Sequence, residues 1–162
     1  MTETSAERID LEGVGVRLAA DIAGDRSAPT VLLFHGGGQT RHSWRYTLNS
    51  LAASGWCAVS VDLRGHGDSD WAPDGDYSLD AFAGDVLAVA RSFDRPALIG
   101  ASLGGSSSLA ALGDDPDVAR ALVLVDVAPR IEPSGATRIG DFMRERAKAG
   151  FASLEEVAEA VQ

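Results

Sequence analysis

The stretch Gly100-Ala101-Ser102-Leu103-Gly104 sets a serine between glycines two residues away on each side, directly after a short apolar run. That spacing suits a nucleophile mounted on a sharp turn from strand to helix. A serine hydroxyl is a poor nucleophile until a neighbouring base takes its proton, and that base is most often histidine. The sequence holds three histidines, His35, His42 and His66, and all precede Ser102. The small residues Gly104, Gly105, Ser106, Ser107 and Ser108 open the next segment. A helix beginning there would set free backbone N–H groups beside Ser102, where they can hold a developing oxyanion. A glycine-rich turn with an incidental serine is the competing structural reading of these residues.

A second glycine cluster, His35-Gly36-Gly37-Gly38, follows the apolar run VLLF. In an acyl-transfer reading this loop brings a backbone N–H, that of Gly37, to face the N–H of Leu103 across the oxyanion position. The same cluster, with Asp62 at the end of the next strand, also mimics a dinucleotide-binding unit, but Arg41 stands where that fingerprint needs a glycine. The third stretch is Asp62-Leu63-Arg64-Gly65-His66-Gly67-Asp68-Ser69. It reads as a tight loop in which Arg64 and Asp68 pair or bond backbone groups while His66 helps to shape the turn.

The elements that must carry these residues are legible as apolar runs. Residues 31–34 (VLLF), 57–61 (CAVSV), 97–99 (ALI) and 121–125 (ALVLV) are continuous rather than alternating, as expected of strands buried on both faces of a parallel sheet. Between them, 42–54, 79–92 and 103–113 read as helices, with Leu79, Phe82, Val86, Val89 and Ala90 on one face. Strand and helix alternate, which predicts an α/β domain with a mostly parallel sheet and helices on both faces. Ahead of it, 9–11 and 14–21 form an expected hairpin that runs antiparallel to the rest. After Asp126, two helices follow without a strand between them. One spans about 139–149 and is capped by Gly150; the other opens at Ser153 with a capping box and is still running at Gln162.

A chain of 162 residues with 45% apolar residues can build one real core. Its formal charge of −10 disfavours nucleic acid or an anionic membrane as partner. The lone Cys57 lies in an apolar run and reads as a small buried hydrophobe. The polar, acidic N-terminus and the absence of a membrane-length apolar run make a cytoplasmic protein the expectation.

Together FHGGG at residues 34–38, DLRGHGDS at 62–69 and GASLGG at 100–105 resemble the α/β-hydrolase fold family, in this order and at family-like separations. The branch it is most similar to holds small esterases, enol-lactonases and cofactor-free perhydrolases. Related dehalogenases and epoxide hydrolases place an aspartate at the elbow, whereas Ser102 implies acyl-ester chemistry on a small-molecule substrate without cofactor or metal. Where many members have a histidine before the nucleophile, this chain has Ala101. The family orders its triad as serine, acid, histidine. The resemblance therefore implies that residues 1–130 are the N-terminal part of the core and 131–162 the start of a helical cap. It also implies that the catalytic histidine and the last strands lie past Gln162. Within the chain, Asp126 is a candidate acid and His42 a candidate substitute base. The expected geometry is Ser102 in a strained left-handed backbone, with the Gly37 and Leu103 N–H groups aimed at one site. A short non-catalytic binding protein built on the same sheet is the rival from another class.

Overall fold

The computed structural model describes residues 6–127 and, beyond them, positions 141, 150, 152, 153, 155 and 156. The chain divides into two units, Met1–Val127 and Ala128–Gln162. In the first, β1 (Glu7–Glu12) and β2 (Arg17–Ala23) make the expected antiparallel hairpin, followed by β3 (Thr30–Phe34), β4 (Cys57–Val61), β5 (Ala97–Ala101) and β6 (Ala121–Val125). They form one sheet in the order β1-β2-β4-β3-β5-β6. β2 runs antiparallel to β4, and all later pairings are parallel. A single 3-10 turn, Arg41–Trp44, leads into α1 (Arg45–Ala53); α2 (Leu79–Ala90) and α3 (Leu103–Asp114) complete the set.

The core follows from the two-residue period of the strands. On one face Leu32 and Phe34 of β3, Val59 and Val61 of β4 and Leu98 of β5 pack against Phe82, Val86 and Val89 of α2 and Ala111 of α3. On the other, Val31, Leu33 and Ala58 pack against Leu48 of α1. β3 and β4 are buried at every position, and Cys57 is a free, buried thiol within that core. β6 departs from the expectation. Its residues alternate between exposed and half-buried because Leu122 packs against the core while the opposite face, with Val123 and Val125, is open among the described residues; the strand pairs with β5 alone and is the last of the sheet.

Because β3, β4, β5 and β6 are parallel, their C-terminal ends share one side of the sheet. The segments that leave there begin with His35, Asp62, Ser102 and Asp126, so the fold gathers all the motif residues at one rim. Of the C-terminal unit, the Glu156 N–H donates to Ser153 Oγ at 3.2 Å, the serine half of the expected capping box, and Gly150 has a φ of 65°. The remainder of the two expected helices lies outside the described residues. No helix among the described residues is long and apolar enough to cross a membrane.

Candidate active site

Ser102 sits between the end of β5 and the first turn of α3. Its backbone has φ 43° and ψ −108°. The positive φ is the strained half of backbone space for a residue with a Cβ, but ψ is not that of the left-handed helix expected from the motif. These angles are close to those of the first corner of a type II′ turn, a position usually given to glycine. Neighbouring glycines make the turn possible. A Cβ on Gly104 would lie 2.5 Å from the Phe34 carbonyl oxygen, and one on Gly100 would lie 2.5 Å from backbone atoms of Gly104 and Gly105. Helix and strands therefore touch backbone to backbone at the elbow.

The turn also sorts the backbone donors. The Ser102 N–H donates to the Val125 carbonyl at 3.0 Å, tying the elbow to β6. The Gly104 N–H donates to the His35 carbonyl at 3.1 Å, tying α3 to the loop after β3. Leu103 lies between them, and its N–H has no partner among the described residues. Facing it, the Gly36 N–H is taken by Gln39 Oε1 at 3.0 Å and the Gly38 N–H by His66 Nε2 at 3.1 Å. Among the described residues the Gly37 N–H is likewise unspent. The two segments are adjacent: a Cβ on Gly36 would lie 3.6 Å from Ser102 Cβ, and one on Gly37 3.8 Å from Leu103 Cδ2. The structure thus brings together Ser102, Leu103 and Gly37, as the motifs predicted, and Ser102 is exposed to solvent.

Two of the three histidines, His35 and His66, are engaged elsewhere at both ring nitrogens. His35 is fully buried; its Nε2 accepts the Leu63 N–H at 3.0 Å and its Nδ1 donates to the Gly36 carbonyl at 2.8 Å. Burial holds its pKa below the ordinary histidine value, against the opposing pull of that carbonyl. His66 is also committed at both nitrogens, to the Gly38 N–H and to the Arg64 carbonyl at 3.0 Å. His42 is exposed, with Nδ1 3.6 Å from Asp21 Oδ2. Ser102 Oγ has no hydrogen-bond partner among the described residues, so no histidine is engaged with it. Asp126 follows β6 with a φ of 53° and is exposed, beside the strand whose Val125 carbonyl holds Ser102.

In the loop after β4, Arg64 and Asp68 do not pair with each other. Arg64 reaches Asp85 on α2 and the carbonyls of Asp76 and Val14, whereas Asp68 binds Arg41 at 2.9 Å and Arg8 at 3.0 Å. Asp62 is fully buried and accepts from the Arg41 backbone and guanidinium and from the Asp68 N–H. Gly67 closes this loop at φ 52°, where a Cβ would overlap the Asp62 carboxylate. A carboxylate so enclosed has no face left for a ribose, which removes the dinucleotide reading. Asp85 and Arg41 were not legible as partners. The available signal was an aspartate on the apolar face of α2 between Phe82 and Val86, since a buried charge demands a partner.

A family profile described as alpha/beta hydrolase fold matches residues 29–159. The chain belongs to the α/β-hydrolase fold family. An esterase of Mycobacterium tuberculosis is 41% identical to it over 105 residues, covering 64% of this chain and 34% of that protein. The 2-(acetamidomethylene)succinate hydrolase of Mesorhizobium japonicum is 30% identical over 143 residues, covering 87% of this chain and 49% of that hydrolase. Among solved structures, epoxide hydrolase A from Mycobacterium thermoresistibile aligns with a TM-score of 0.74 at 26% identity, covering 93% of this chain and 51% of that one. This member of the family therefore spans between a third and about half the length of these relatives.

Proposed function

We propose that this chain is the nucleophile-bearing part of a serine hydrolase that cleaves an ester or related acyl bond of a small molecule. Ser102 Oγ attacks the acyl carbon, the carbonyl oxygen becomes an oxyanion, and the leaving group departs with a proton. Water then attacks the acyl-Ser102 and releases the acid. The observation that carries the reading is the pair of unspent donors. Among the described residues the N–H groups of Gly37 and Leu103 are both without partners, and they belong to adjacent segments. Donors arranged before the reaction stabilise the charge that develops there, typically by about 3–4 kcal/mol each.

Ester rather than epoxide chemistry follows from the serine, since the resembled epoxide hydrolases carry an aspartate at this point. With no histidine of the chain hydrogen-bonded to Ser102 Oγ among the described residues, the base that activates Ser102 comes from outside these 162 residues in this account. Asp126, at the end of β6, is the acid available within them. No cofactor or metal enters the chemistry.

Imidazole added in solution offers the missing base to an exposed serine. With p-nitrophenyl acetate, imidazole should raise p-nitrophenol release by the chain above that of Ser102→Ala, and peptide mapping should find the acetyl group on Ser102. Equal rates with and without Ser102, together with no acetyl-Ser102, would overturn the reading in favour of a non-catalytic binding module.

A further inference from the structure

Two loops at the rim of the sheet hold each other through histidines. His35, in the loop after β3, accepts at Nε2 the Leu63 N–H of the loop after β4. His66, in that second loop, accepts at Nε2 the Gly38 N–H of the first. A backbone N–H can only donate, so both Nε2 atoms are bare and both Nδ1 atoms carry the proton. Each Nδ1–H then satisfies a carbonyl of its own loop, Gly36 for His35 and Arg64 for His66. The ring centroids lie 5.0 Å apart. Gly37 sits inside this exchange, flanked by Gly36 on Gln39 and Gly38 on His66.

We propose that His66 is a positioning residue that, with His35, clamps the loop after β3 so that the Gly37 N–H points at the oxyanion position, and that the clamp holds only while both imidazoles are neutral. The proposal rests on the acyl-enzyme reading of the same site. Protonation of His66 turns Nε2 into a donor facing the Gly38 donor, and the bond is lost. The charges nearby do not offset it. Asp62 is already held by Arg41 and Arg64 by Asp85, while α2 presents Phe82 to the His66 ring. His35, whose ring packs beside it, would face the new charge across 5.0 Å.

Long-range proton–nitrogen spectra of the isotopically labelled chain read both tautomers, and amide exchange reads Gly38. Above about pH 8 both rings should be the Nδ1–H tautomer. As the pH is lowered from about 8 to about 5, Gly38 protection, corrected for intrinsic exchange, should drop roughly tenfold, and the Gly37 amide shift should move in step with it. His66→Phe keeps a ring against His35 and Phe82 but offers no acceptor, and should lose that protection at every pH. His66→Gln restores an acceptor and should keep the protection without the pH dependence. An Nε2–H tautomer at His66, or Gly38 protection indifferent to pH and to His66→Phe, would overturn the proposal. If His66→Phe does not fold, the tautomer and the pH dependence of Gly38 protection in the unaltered chain decide. None of these readouts uses Ser102 chemistry, so failure of acylation counts against the acyl-enzyme reading alone and failure of the clamp against this proposal alone.

Discussion

Arg64 reaches from the loop after β4 to Asp85 on α2, where the two side chains meet in a two-pronged pair, Nε to Oδ2 at 2.7 Å and Nη2 to Oδ1 at 2.8 Å. Only 4% and 1% of the two side chains are exposed. The pair is also the junction of three segments, because the Val14 N–H donates to Asp85 and Arg64 donates to the carbonyls of Val14 and Asp76. Removing one partner strands a buried charge, which costs about 3–5 kcal/mol. Asp85→Ala should therefore lower the urea unfolding free energy by about that amount. A loss under about 1 kcal/mol would mean that water reaches Arg64 and replaces the carboxylate.

Two glycines of α3 should respond in opposite ways to alanine. At Gly104 the new methyl meets the Phe34 and His35 carbonyls, backbone that cannot yield without displacing β3, so Gly104→Ala should destabilise by more than about 3 kcal/mol or prevent folding. At Gly113 nothing lies within 4 Å, and Gly113→Ala should raise stability by about 0.5–1 kcal/mol through helix propensity. Paired thermal melts check both. Similar effects at the two positions would contradict the close contact at the elbow.

Stability should fall as the solution is acidified, beginning near neutrality. Burial keeps His35 neutral in the folded chain, while the unfolded chain takes up a proton below about pH 6.5. The unfolded state then binds more protons, so the stability present above about pH 6.5 is lost as the pH falls toward the lowered folded value. Asp68, held below its usual range first by its hydrogen bond to Arg41, acts in a separate window below about pH 4. Urea midpoints measured from pH 8 to 5 should decline for the unaltered chain and decline less steeply in His35→Gln. An unaltered chain flat across that range would contradict the assignment.

The β6 edge should drive association. Its backbone groups on the side away from β5 are unpaired among the described residues, and Val123 and Val125 are 49% and 40% exposed. No charge or proline interrupts ALVLV to discourage a second molecule from pairing with it. Size-exclusion chromatography should show concentration-dependent association that Val123→Lys reduces. A monomer at all concentrations would show that this edge is covered.

The parts of this fold that were legible are those with a one-dimensional signature. β4 and β6 have the bounds of their apolar runs because a buried strand and a run of five apolar or small residues are the same pattern. β5 extends two residues further than its run, through Gly100 and Ala101, because register with Phe34 and Val125 rather than side-chain hydrophobicity keeps those residues in the sheet. The helix expected from His42 begins instead with a 3-10 turn at Arg41, whose N–H is taken by the Asp62 carboxylate. The adjacency of Ser102, Gly37 and Leu103 was legible because a strand-to-helix turn and a glycine loop are local. The partners of Arg64 and Asp68 were not, since those ion pairs join residues 21 to 60 positions apart across separate elements.

Acyl transfer at Ser102, as proposed, requires that the Gly37 and Leu103 N–H groups converge on one oxyanion. A crystal structure of the chain after Ser102 has been phosphonylated, with imidazole supplied as base, tests it directly, because the phosphonyl oxygen occupies the place of the oxyanion. One phosphonyl oxygen should lie within hydrogen-bonding reach of both nitrogens, about 2.7–3.1 Å from each. A phosphonate bound to Ser102 with that oxygen turned to solvent, or bonded to neither nitrogen, would contradict it.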